Sequence, residues 1–290
     1  MFKIRKLGDE LSRRVLNALP DNIALKGVFF RAHGFLPNLT SPKSFSERIQ
    51  HRKLFDRDHL MPLFADKEEM KHRVADIIGS SAFTPKTHWV GADITALDFS
   101  SIPRPFVVKP THMCGHVRFF PEGGSLDVES LLDECRSWLR TQYGTHHREW
   151  LYRSIPPRIL VEEMLGEGTV PSDYKLFVFG GKVEYIQVDM SRFENHQRAI
   201  YDPLWNKLPV SIRYPTSAQG FPRPATLDTM ISVAEQLGAL FDFVRVDLYE
   251  HRGRVAVGEL TFYPGSGLAR ISPRSFDLAM GEKWRRGRAS

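Results

Sequence analysis

Alternating apolar and polar residues mark residues 243–249 as a β-strand with two different faces. One face carries the apolar side chains Val244, Val246 and Leu248. The opposite face carries Arg245, Asp247 and Tyr249. A second strand follows, and the intervening His251-Arg252-Gly253 predicts a three-residue hairpin loop with glycine in the left-handed conformation. The pattern therefore predicts a hairpin with one apolar face and one charged face.

The register of this hairpin determines which charged residues meet. The three-residue loop places Arg245 opposite Glu259, Asp247 opposite Val257 and Glu250 opposite Arg254. Asp247 and Glu259 are then diagonal neighbours whose Cβ atoms lie within roughly 7–8 Å of each other. Two carboxylates at that separation can hold a cation between them. In this register Ala256 and Leu260 join the apolar face.

A surface hairpin with an exposed charged face is the alternative interpretation. Glycines next to the second strand favour a functional role. Gly258 directly precedes Glu259, and Pro264-Gly265-Ser266-Gly267 follows a few residues later. Glycines beside a carboxylate indicate that something else approaches the backbone closely.

Helices and short strands alternate along the rest of the chain. The predicted helices cover residues 3–19, 25–35, 126–139 and 227–240. Two more begin after Ser44 and Asp66, each of which has a glutamate three residues later, in capping-box spacing. The predicted strands cover residues 106–109, 117–120, 158–162, 174–179 and 183–190. Hairpins and helices without a βαβ rhythm predict an α+β fold with antiparallel sheets.

Composition and charge narrow the class of protein. The 290 residues, 42% of them hydrophobic, suffice for a sizeable core. The formal net charge of +6 favours an anionic partner such as a nucleotide or an acidic sugar, but the chain has no nucleic-acid-binding motif. Two cysteines are too few for a disulfide framework, so we expect a cytoplasmic protein. No apolar run is long enough to span a membrane, so we expect no stable membrane insertion.

Three lysines are candidates for binding an anion. Lys109 follows three large apolar residues on a predicted strand, where a lysine is costly unless an anion pairs with it. An edge strand that exposes Lys109 to water is an equal alternative. Lys67 follows the capping residue Asp66, where its amide and side chain would face an anion at the helix terminus, although an ordinary surface helix explains Lys67 better on its own. The side chain of Lys175 would point into the protein only if an anion lies there to pair with it.

Two further segments carry candidate chemistry. Residues 159–167 predict a strand that enters a linker containing Glu162, Glu163 and Glu167. Such a hinge strand can present backbone groups to an adenine and a glutamate to a ribose, and a strand that simply leaves the core is the alternative. The residues 112–116 contain two histidines around Cys114, but their spacing is tighter than structural zinc uses. A flexible loop over a phosphate is the better interpretation of this segment.

Taken in order along the chain, these features resemble the ATP-grasp superfamily. In detail they are similar to its TupA-like branch, the teichuronopeptide-biosynthesis type of polysaccharide biosynthesis protein, from about residue 38 to residue 284. The matching motifs are weak singly and strong in this order: Pro42-Lys43-Ser44-Phe45-Ser46-Glu47, Ala65-Asp66-Lys67, Phe106-Val107-Val108-Lys109, Arg148-Glu149-Trp150 with Tyr152, Asp173-Tyr174-Lys175, Tyr201-Asp202 with Trp205, Arg245-Val246-Asp247 and Gly258-Glu259-Leu260-Thr261-Phe262.

The resemblance implies an ATP-grasp fold, in which two α+β subdomains clasp ATP. The expected division has an N-terminal helical segment in residues 1–59, a smaller lid subdomain in residues 60–157 and a C-terminal subdomain with the metal site in residues 158–290. The residues expected to bind the nucleotide are Lys67, Lys109, Glu162, Glu163, Met164, Glu167 and Lys175. Glu162 and Met164 would meet adenine mainly through their backbone.

The resemblance also assigns the remaining site residues. Asp247 and Glu259 would hold Mg²⁺, and the residues expected to act on the transferring phosphoryl group are Arg245 and Lys109. Thr261 replaces the asparagine that binds the metal in many ATP-grasp ligases. The candidates for binding the second substrate are Arg192, Asn195 and His196.

The chemistry implied by the resemblance is ATP-dependent ligation of a carboxylate to an amine. The carboxylate would attack the γ-phosphate of ATP to form an acyl phosphate, from which the amine would displace phosphate. The expected acid is a uronic acid of a polysaccharide or a related small molecule, and the expected amine is an amino acid or a similar compound. A sugar or small-molecule kinase on the same scaffold and a non-catalytic module that binds acidic glycans are the alternatives.

Overall fold

A computed structural model describes residues 16–166, 171–190 and 197–286. The α-helices are α1 (Asp21–His33), α2 (Phe45–Phe55), α3 (Leu60–Ala65), α4 (Glu69–Ile78), α5 (Val128–Arg140), α6 (Trp150–Arg153), α7 (Leu227–Gly238) and α8 (Arg274–Arg286). The strands are β1 (Thr87–Gly91), β2 (Phe106–Pro110), β3 (Arg118–Phe120), β4 (Ile159–Glu163), β5 (Asp173–Phe179), β6 (Lys182–Met190), β7 (Gln197–Tyr201), β8 (Lys207–Leu208), β9 (Ser211–Ile212), β10 (Phe243–His251), β11 (Arg254–Thr261) and β12 (Ile271–Ser272).

Two antiparallel sheets organise the fold. The first has four strands in the order β1-β4-β2-β3, and the second has six strands in the order β11-β10-β5-β6-β7-β8. A short pair, β12-β9, accompanies them. Antiparallel pairing joins every neighbouring strand in these sheets, which confirms the predicted α+β class with antiparallel sheets.

One face of the six-stranded sheet packs against α7 within the main hydrophobic core. Leu176, Val178 and Val246 are fully buried there. The approach of the helix is close, because a Cβ added to Gly238 would lie 2.4 Å from Val178 Cγ1. Burial of each large aliphatic side chain contributes about 1.5–3 kcal/mol, so this layer anchors β5 and β10 in the sheet.

The other face of the same sheet is apolar at one end and charged at the other. Helices α2 and α8 cover the apolar end, where Phe45 meets Phe243 with ring centroids 4.9 Å apart and Trp284 at 5.6 Å. The predicted capping box fixes the start of α2, since Ser44 and Glu47 exchange hydrogen bonds between side chain and backbone. The charged end is left to line a cavity.

The hairpin of β10 and β11 forms as predicted, but its predicted register is wrong. His251 pairs with Arg254, so the loop has two residues, Arg252 and Gly253. Both have positive φ, as a type I′ turn requires. The predicted pairing of Glu250 with Arg254 is therefore replaced by pairing with Val255.

A β-bulge at Gly258 shifts the register a second time. Asp247 pairs directly with Glu259 and not with Val257, and Arg245 pairs with Thr261 and not with Glu259. The two carboxylates, Asp247 and Glu259, were predicted to be diagonal neighbours, but they are directly opposite each other across the two strands. Ala256 lies on the turn side of the bulge, and the two-residue loop pairs it with Tyr249. It is therefore on the charged face and not on the predicted apolar face.

Elements from different parts of the predicted domain division share layers. Helix α2, from the predicted segment 1–59, covers the six-stranded sheet, and β4, at the start of the predicted subdomain 158–290, is an inner strand of the four-stranded sheet. The division into three parts at these boundaries stays a prediction.

Candidate active site

A cavity of about 660 Å³ is lined by residues of both large sheets. The four-stranded sheet contributes Lys109 and Glu162, and the six-stranded sheet contributes Lys175, Asp247 and Glu259. Its volume is within the range of sites that hold small molecules and cofactors. The structure therefore brings together in one cavity the lysines and carboxylates that are far apart in the sequence.

A row of polar side chains crosses the six-stranded sheet on the cavity side. Glu259, Asp247, Lys175 and Gln187 are successive cross-strand partners, and all four line the cavity. Cross-strand partners project from the same face of a sheet, so their side chains are adjacent. The row depends on the bulge at Gly258. A Cβ at that position would lie 2.4 Å from Tyr249 Cε2. The group that approaches the Gly258 backbone closely, as the sequence predicted, is therefore the Tyr249 ring.

Asp247 is 5% exposed and is held by two cations. Arg245 Nε donates to Asp247 Oδ1 at 2.6 Å, and Arg245 Nη2 donates to Oδ2 at 2.7 Å. Lys175 Nζ donates to Oδ2 at 2.9 Å and also pairs with Asp173. Burial alone would raise the pKa of Asp247, but the charges of Arg245 and Lys175 dominate and lower it. Asp247 is therefore ionised in the folded protein.

Glu259 has neutral hydrogen-bond partners. Cys114 Sγ lies 2.9 Å from Glu259 Oε1, and Thr261 Oγ1 donates to the same oxygen at 3.3 Å. Burial raises the pKa of Cys114 to about 12, and the negative charge of Glu259 adds to the rise, so Cys114 stays a protonated donor. Arg245 Nη2 donates to Thr261 Oγ1 at 3.1 Å. Thr261 thus connects Arg245 to Glu259.

The oxygen donors of Asp247 and Glu259 fit a hard divalent cation such as Mg²⁺, which prefers carboxylate and phosphate oxygens. In residues 16–166, 171–190 and 197–286, no group of three or more histidine, cysteine or acidic side chains is arranged to hold a metal ion. A cation at this pair would therefore complete its coordination with water or with phosphate oxygens, as Mg²⁺ commonly does in phosphoryl-transfer sites.

Glu162 is buried between two lysines. Lys71 Nζ lies 2.5 Å from Glu162 Oε2, and Lys109 forms an ion pair with Oε1. Burial alone would raise the pKa of Glu162, but the charges of Lys109 and Lys71 lower it. Burial lowers the pKa of Lys109, and Glu162 opposes that change. The Glu162 side chain therefore holds Lys109 in the cavity wall, and Lys109 does not lie on an exposed edge.

Lys67 lines the cavity, but not in the way that the sequence predicted. Helix α4 begins at Glu69, so Lys67 precedes the helix. Its backbone N–H donates to Thr111 O at 3.2 Å and is not directed to an anion, while Lys67 Nζ donates to Met113 O at 2.5 Å. Asp66 does cap the segment, because its Oδ1 accepts hydrogen bonds from the N–H groups of Glu68 and Glu69.

The predicted hinge strand lines the cavity with Glu163 and Met164. The N–H of Met164 donates to Pro105 O at 3.1 Å, and that of Glu163 donates to Lys86 O at 2.9 Å. Backbone contact with an adenine through these two N–H groups would require those bonds to open. The Glu163 carboxylate accepts from Lys86 N and pairs with Arg254.

Four predicted site residues lie outside the described residues: Glu167, Arg192, Asn195 and His196. Their proposed contacts with the ribose and the second substrate stay predictions. The loop 112–116 does not form a metal centre in the described structure. His116 Nδ1 instead contacts the Cys114 carbonyl oxygen at 2.9 Å.

Sequence reasoning missed two charged residues of this region. Lys71 is 7% exposed and shares Glu162 with Lys109. Residue spacing gives no signal for it, because Lys67, four residues earlier, precedes the helix. Glu149 is 6% exposed and lines the cavity, although the sequence indicated only that it belongs to a motif.

The TupA-like ATPgrasp family profile matches residues 47–285, which is most of the chain and includes the cavity residues from Lys67 to Glu259. The chain belongs to the TupA-like ATP-grasp family. This membership confirms the resemblance on which the site residues were selected. No curated protein matches the chain.

Several solved ligases are similar in structure to this TupA-like protein. The D-alanine–D-alanine ligase from Bacillus anthracis complexed with ATP is 17% identical, with a TM-score of 0.45, and the match covers 77% of this chain and 64% of that one. The L-amino acid ligase from Bacillus licheniformis is 15% identical, with a TM-score of 0.45 and coverages of 86% and 57%. This chain thus spans less than two thirds of either enzyme.

In the described part of this TupA-like protein, no helix has both the length and the apolar character needed to cross a bilayer.

Proposed function

We propose that this TupA-like protein uses ATP to join a carboxylate to an amine through an acyl phosphate. The observation that carries the proposal is the convergence of Lys109 with Arg245, Asp247 and Glu259 in one cavity. Positive groups suit the phosphates of ATP, and the adjacent carboxylate pair suits the cation that accompanies it. Membership of the ATP-grasp family supports this assignment.

The two sheets would bind the nucleotide from opposite sides. Lys67 and Lys109 would contact its phosphates. Lys67 Nζ has three N–H donors, of which the Met113 carbonyl uses one. The segment from Glu162 to Met164 would contact the adenine mainly through its backbone, with Glu167 near the ribose. Lys175 would help to neutralise the phosphates while it keeps Asp247 in place.

Asp247 and Glu259 would hold Mg²⁺, which when bound supplies positive charge to the phosphate oxygens. Arg245, together with Lys109, would act on the transferring phosphoryl group. Burial alone would lower the pKa of Arg245, but the charge of Asp247 raises it, so the guanidinium is permanently charged. A fixed positive charge in a partly dry site stabilises the negative charge that develops in the transition state.

The reaction would proceed in two steps. A carboxylate oxygen of the acid attacks the γ-phosphorus of ATP, the bond to the β,γ-bridging oxygen breaks, and ADP leaves. The amine nitrogen then attacks the acyl carbon, the bond from that carbon to the phosphate oxygen breaks, and inorganic phosphate leaves. No side chain of the protein has to form a covalent bond in either step.

The acid in this reaction is proposed to be a uronic acid of a polysaccharide or a related small acid, and the amine an amino acid or a similar compound. The net charge of +6 favours an anionic substrate. Arg213 also lines the cavity and would attract an acid, whereas Arg198 is already paired with Asp189.

A screen of ADP release tests the proposal directly. Uronates and small carboxylates are crossed against amino acids, and active mixtures are examined by mass spectrometry for the amide product. We expect ADP release that requires both an acid and an amine. A phosphorylated acceptor formed without any amine would instead identify a kinase. If ADP release is unchanged by every pair, the ligase assignment is wrong.

A further inference from the structure

Four cavity residues next to the carboxylate pair have no role in the reaction described above. Glu149 and three tyrosines, Tyr143, Tyr152 and Tyr263, line the same cavity as Glu259. We call these four residues the tyrosine box. The combination of one carboxylate with several aromatic rings is typical of sites that bind organic cations, because ring faces and carboxylates both attract positive charge.

The rings of the tyrosine box are in mutual contact. Tyr143 and Tyr152 meet edge to face, with ring centroids 5.1 Å apart and an angle of 83° between the ring planes. Tyr152 and Tyr263 meet at 6.4 Å and 67°. Rings that meet at steep angles turn their faces in different directions, so together they can surround a small cation.

Glu149 is 6% exposed. A tight loop holds it in position: the Glu149 N–H donates to Gly144 O at 2.8 Å, and Gly144 has a φ of 81°. A Cβ at Gly144 would lie 2.5 Å from the Glu149 carbonyl oxygen, so the loop depends on glycine at this point. The loop thereby brings Tyr143 and Glu149 into the same wall of the cavity.

The charge of Glu149 is only partly compensated. Burial raises the pKa of Glu149, while the charge of Lys53 and a hydrogen bond from Ser266 oppose the rise. Lys53 Nζ donates to Gln50 Oε1 and to both the carbonyl and the hydroxyl oxygen of Ser266, at 2.8–3.1 Å. Burial lowers the pKa of Lys53 to about 8, and the charge of Glu149 opposes this change.

A polar group in the box lacks a partner. Tyr263 is 3% exposed, and its hydroxyl has no hydrogen-bond partner among the described residues. A buried hydroxyl without a partner costs about 1–3 kcal/mol relative to a satisfied one. An N–H group of a bound ammonium would be a suitable donor to it.

The box lies beside the carboxylate pair. Tyr152 Oη is 3.4 Å from Cys114 Sγ, and Cys114 Sγ is 2.9 Å from Glu259 Oε1. One thiol therefore separates a tyrosine of the box from a proposed Mg²⁺ ligand. An amine in the box would be close to an acyl phosphate formed at that ligand.

We infer that the tyrosine box binds the ammonium group of the amine substrate and that Glu149 accepts its proton, an inference that rests on the proposed ligase function. A primary ammonium has no lone pair and cannot attack a carbonyl carbon. Transfer of one N–H proton to the Glu149 carboxylate leaves the electron pair on nitrogen. When the neutral amine then forms the C–N bond, its second proton leaves with the departing phosphate, and Glu149 returns its proton to water.

Binding of a simple cation tests this inference without ATP or an acid. The probe is ethanolammonium chloride, followed by ligand-detected NMR, with ethylene glycol as a neutral compound of similar size. We expect the ammonium to bind to the wild type and Glu149→Gln to weaken binding about tenfold or more, since a charge-assisted contact is lost. Glu134→Gln, in a surface ion pair with Arg118 outside the cavity, should retain the wild-type affinity.

Two variants of Tyr143 give a test that leaves the buried Glu149–Lys53 pair untouched. Tyr143→Phe keeps a ring face and should bind ethanolammonium within about twofold of wild type, whereas Tyr143→Leu should bind about threefold or more weakly. Absence of ammonium binding to the wild type, or equal affinities for wild type and Glu149→Gln, would overturn the inference. A failed ADP-release screen would overturn the ligase proposal while leaving measured ammonium binding in place, so the two failures are distinguishable.

Discussion

Asp247 and Glu259 face each other directly across adjacent antiparallel strands because Gly258 forms a bulge between Glu259 and Val257. Directly opposed residues typically have Cβ atoms about 4.5–5.5 Å apart, where like charges destabilise a sheet. Arg245 offsets this repulsion, since it binds Asp247 twice and reaches Glu259 through Thr261. The pair is thus a compact cluster of oxygen donors whose negative charge a further cation would balance.

Substitution of the two carboxylates should have different effects. Asp247→Asn leaves buried Arg245 and Lys175 without their shared counter-charge and should lower the free energy of unfolding by about 3–5 kcal/mol. Glu259→Gln removes a carboxylate with neutral partners and should leave the melting temperature nearly unchanged. The affinity of the Glu259→Gln variant for ATP in the presence of Mg²⁺ should fall about tenfold or more. Loss of even an outer hydrogen-bond partner of a metal ligand typically lowers metal affinity by this factor. Urea denaturation and calorimetric titration measure the two quantities. Full Mg²⁺-dependent ATP affinity in Glu259→Gln would remove Glu259 from the metal site.

Two lysines that share one glutamate offer a matched comparison. Lys109→Gln and Lys71→Gln each remove one ion pair of Glu162, and both should lower the free energy of unfolding by about 1–3 kcal/mol. Only Lys109 lines the cavity, whereas Lys71 Nζ is also bound by Pro85 O and Thr87 Oγ1. The affinity for ATP, measured by titration, should therefore fall about tenfold or more in Lys109→Gln and little in Lys71→Gln. Equal losses in both variants would contradict a direct contact between Lys109 and the nucleotide.

Glu47 should make the stability of the protein sensitive to acid. Its carboxylate accepts hydrogen bonds from the N–H groups of Asn38, Lys43 and Ser44 at 2.9–3.1 Å. Burial alone would raise the pKa of Glu47, but these donors lower it below its ordinary value of 4.5. A lowered folded-state pKa contributes stability above 4.5 that disappears as the pH falls through the folded-state value.

Glu47→Gln should therefore be less stable than wild type by about 1–3 kcal/mol near neutral pH, and the gap should close as the pH falls below 4.5. Urea denaturation of both proteins at a series of pH values provides the measurement. A gap that stays constant into acid would mean that the ionised carboxylate is not the stabilising form.

Cys114 should be unreactive in the folded protein. Its pKa is raised from 9.0 to about 12, first by burial and then by the charge of Glu259. The thiolate fraction near neutral pH is then about a thousandfold smaller than for an ordinary cysteine, and alkylation requires the thiolate. In a Cys135→Ser background, labelling by iodoacetamide should be correspondingly slow, and Glu259→Gln should accelerate it. Labelling as fast as that of free cysteine would contradict a buried Cys114 thiol with a raised pKa.

The alternation along residues 243–249 was enough to predict the strand and its charged face, because a period of two is maintained in both the sequence and the sheet. The register was not predictable in the same way. It depends on the left-handed conformation of Arg252 and on the bulge at Gly258, which are backbone features that polarity does not record. Asp247 and Glu259 were therefore identified correctly as neighbours, but with the wrong geometry.

The rest of the site depends on contacts between distant segments. Glu162 is paired with Lys71 of helix α4 and Lys109 of strand β2. All three residues are far apart in the sequence. A single buried lysine in a helical pattern gives no indication of such a partner. Glu149 enters the cavity wall only because the loop at Gly144 closes tightly, so its position could not be derived from residue spacing.

The stoichiometry of ADP and amide formed by an active acid–amine pair tests the central claim most directly. With ADP measured by a coupled assay and amide by mass spectrometry, the proposed acyl-phosphate reaction predicts one amide for each ADP, and loss of both products in Glu259→Gln. Release of ADP with a stable phosphorylated acceptor and no amide would contradict the ligase assignment, and unchanged product formation in Glu259→Gln would contradict the site.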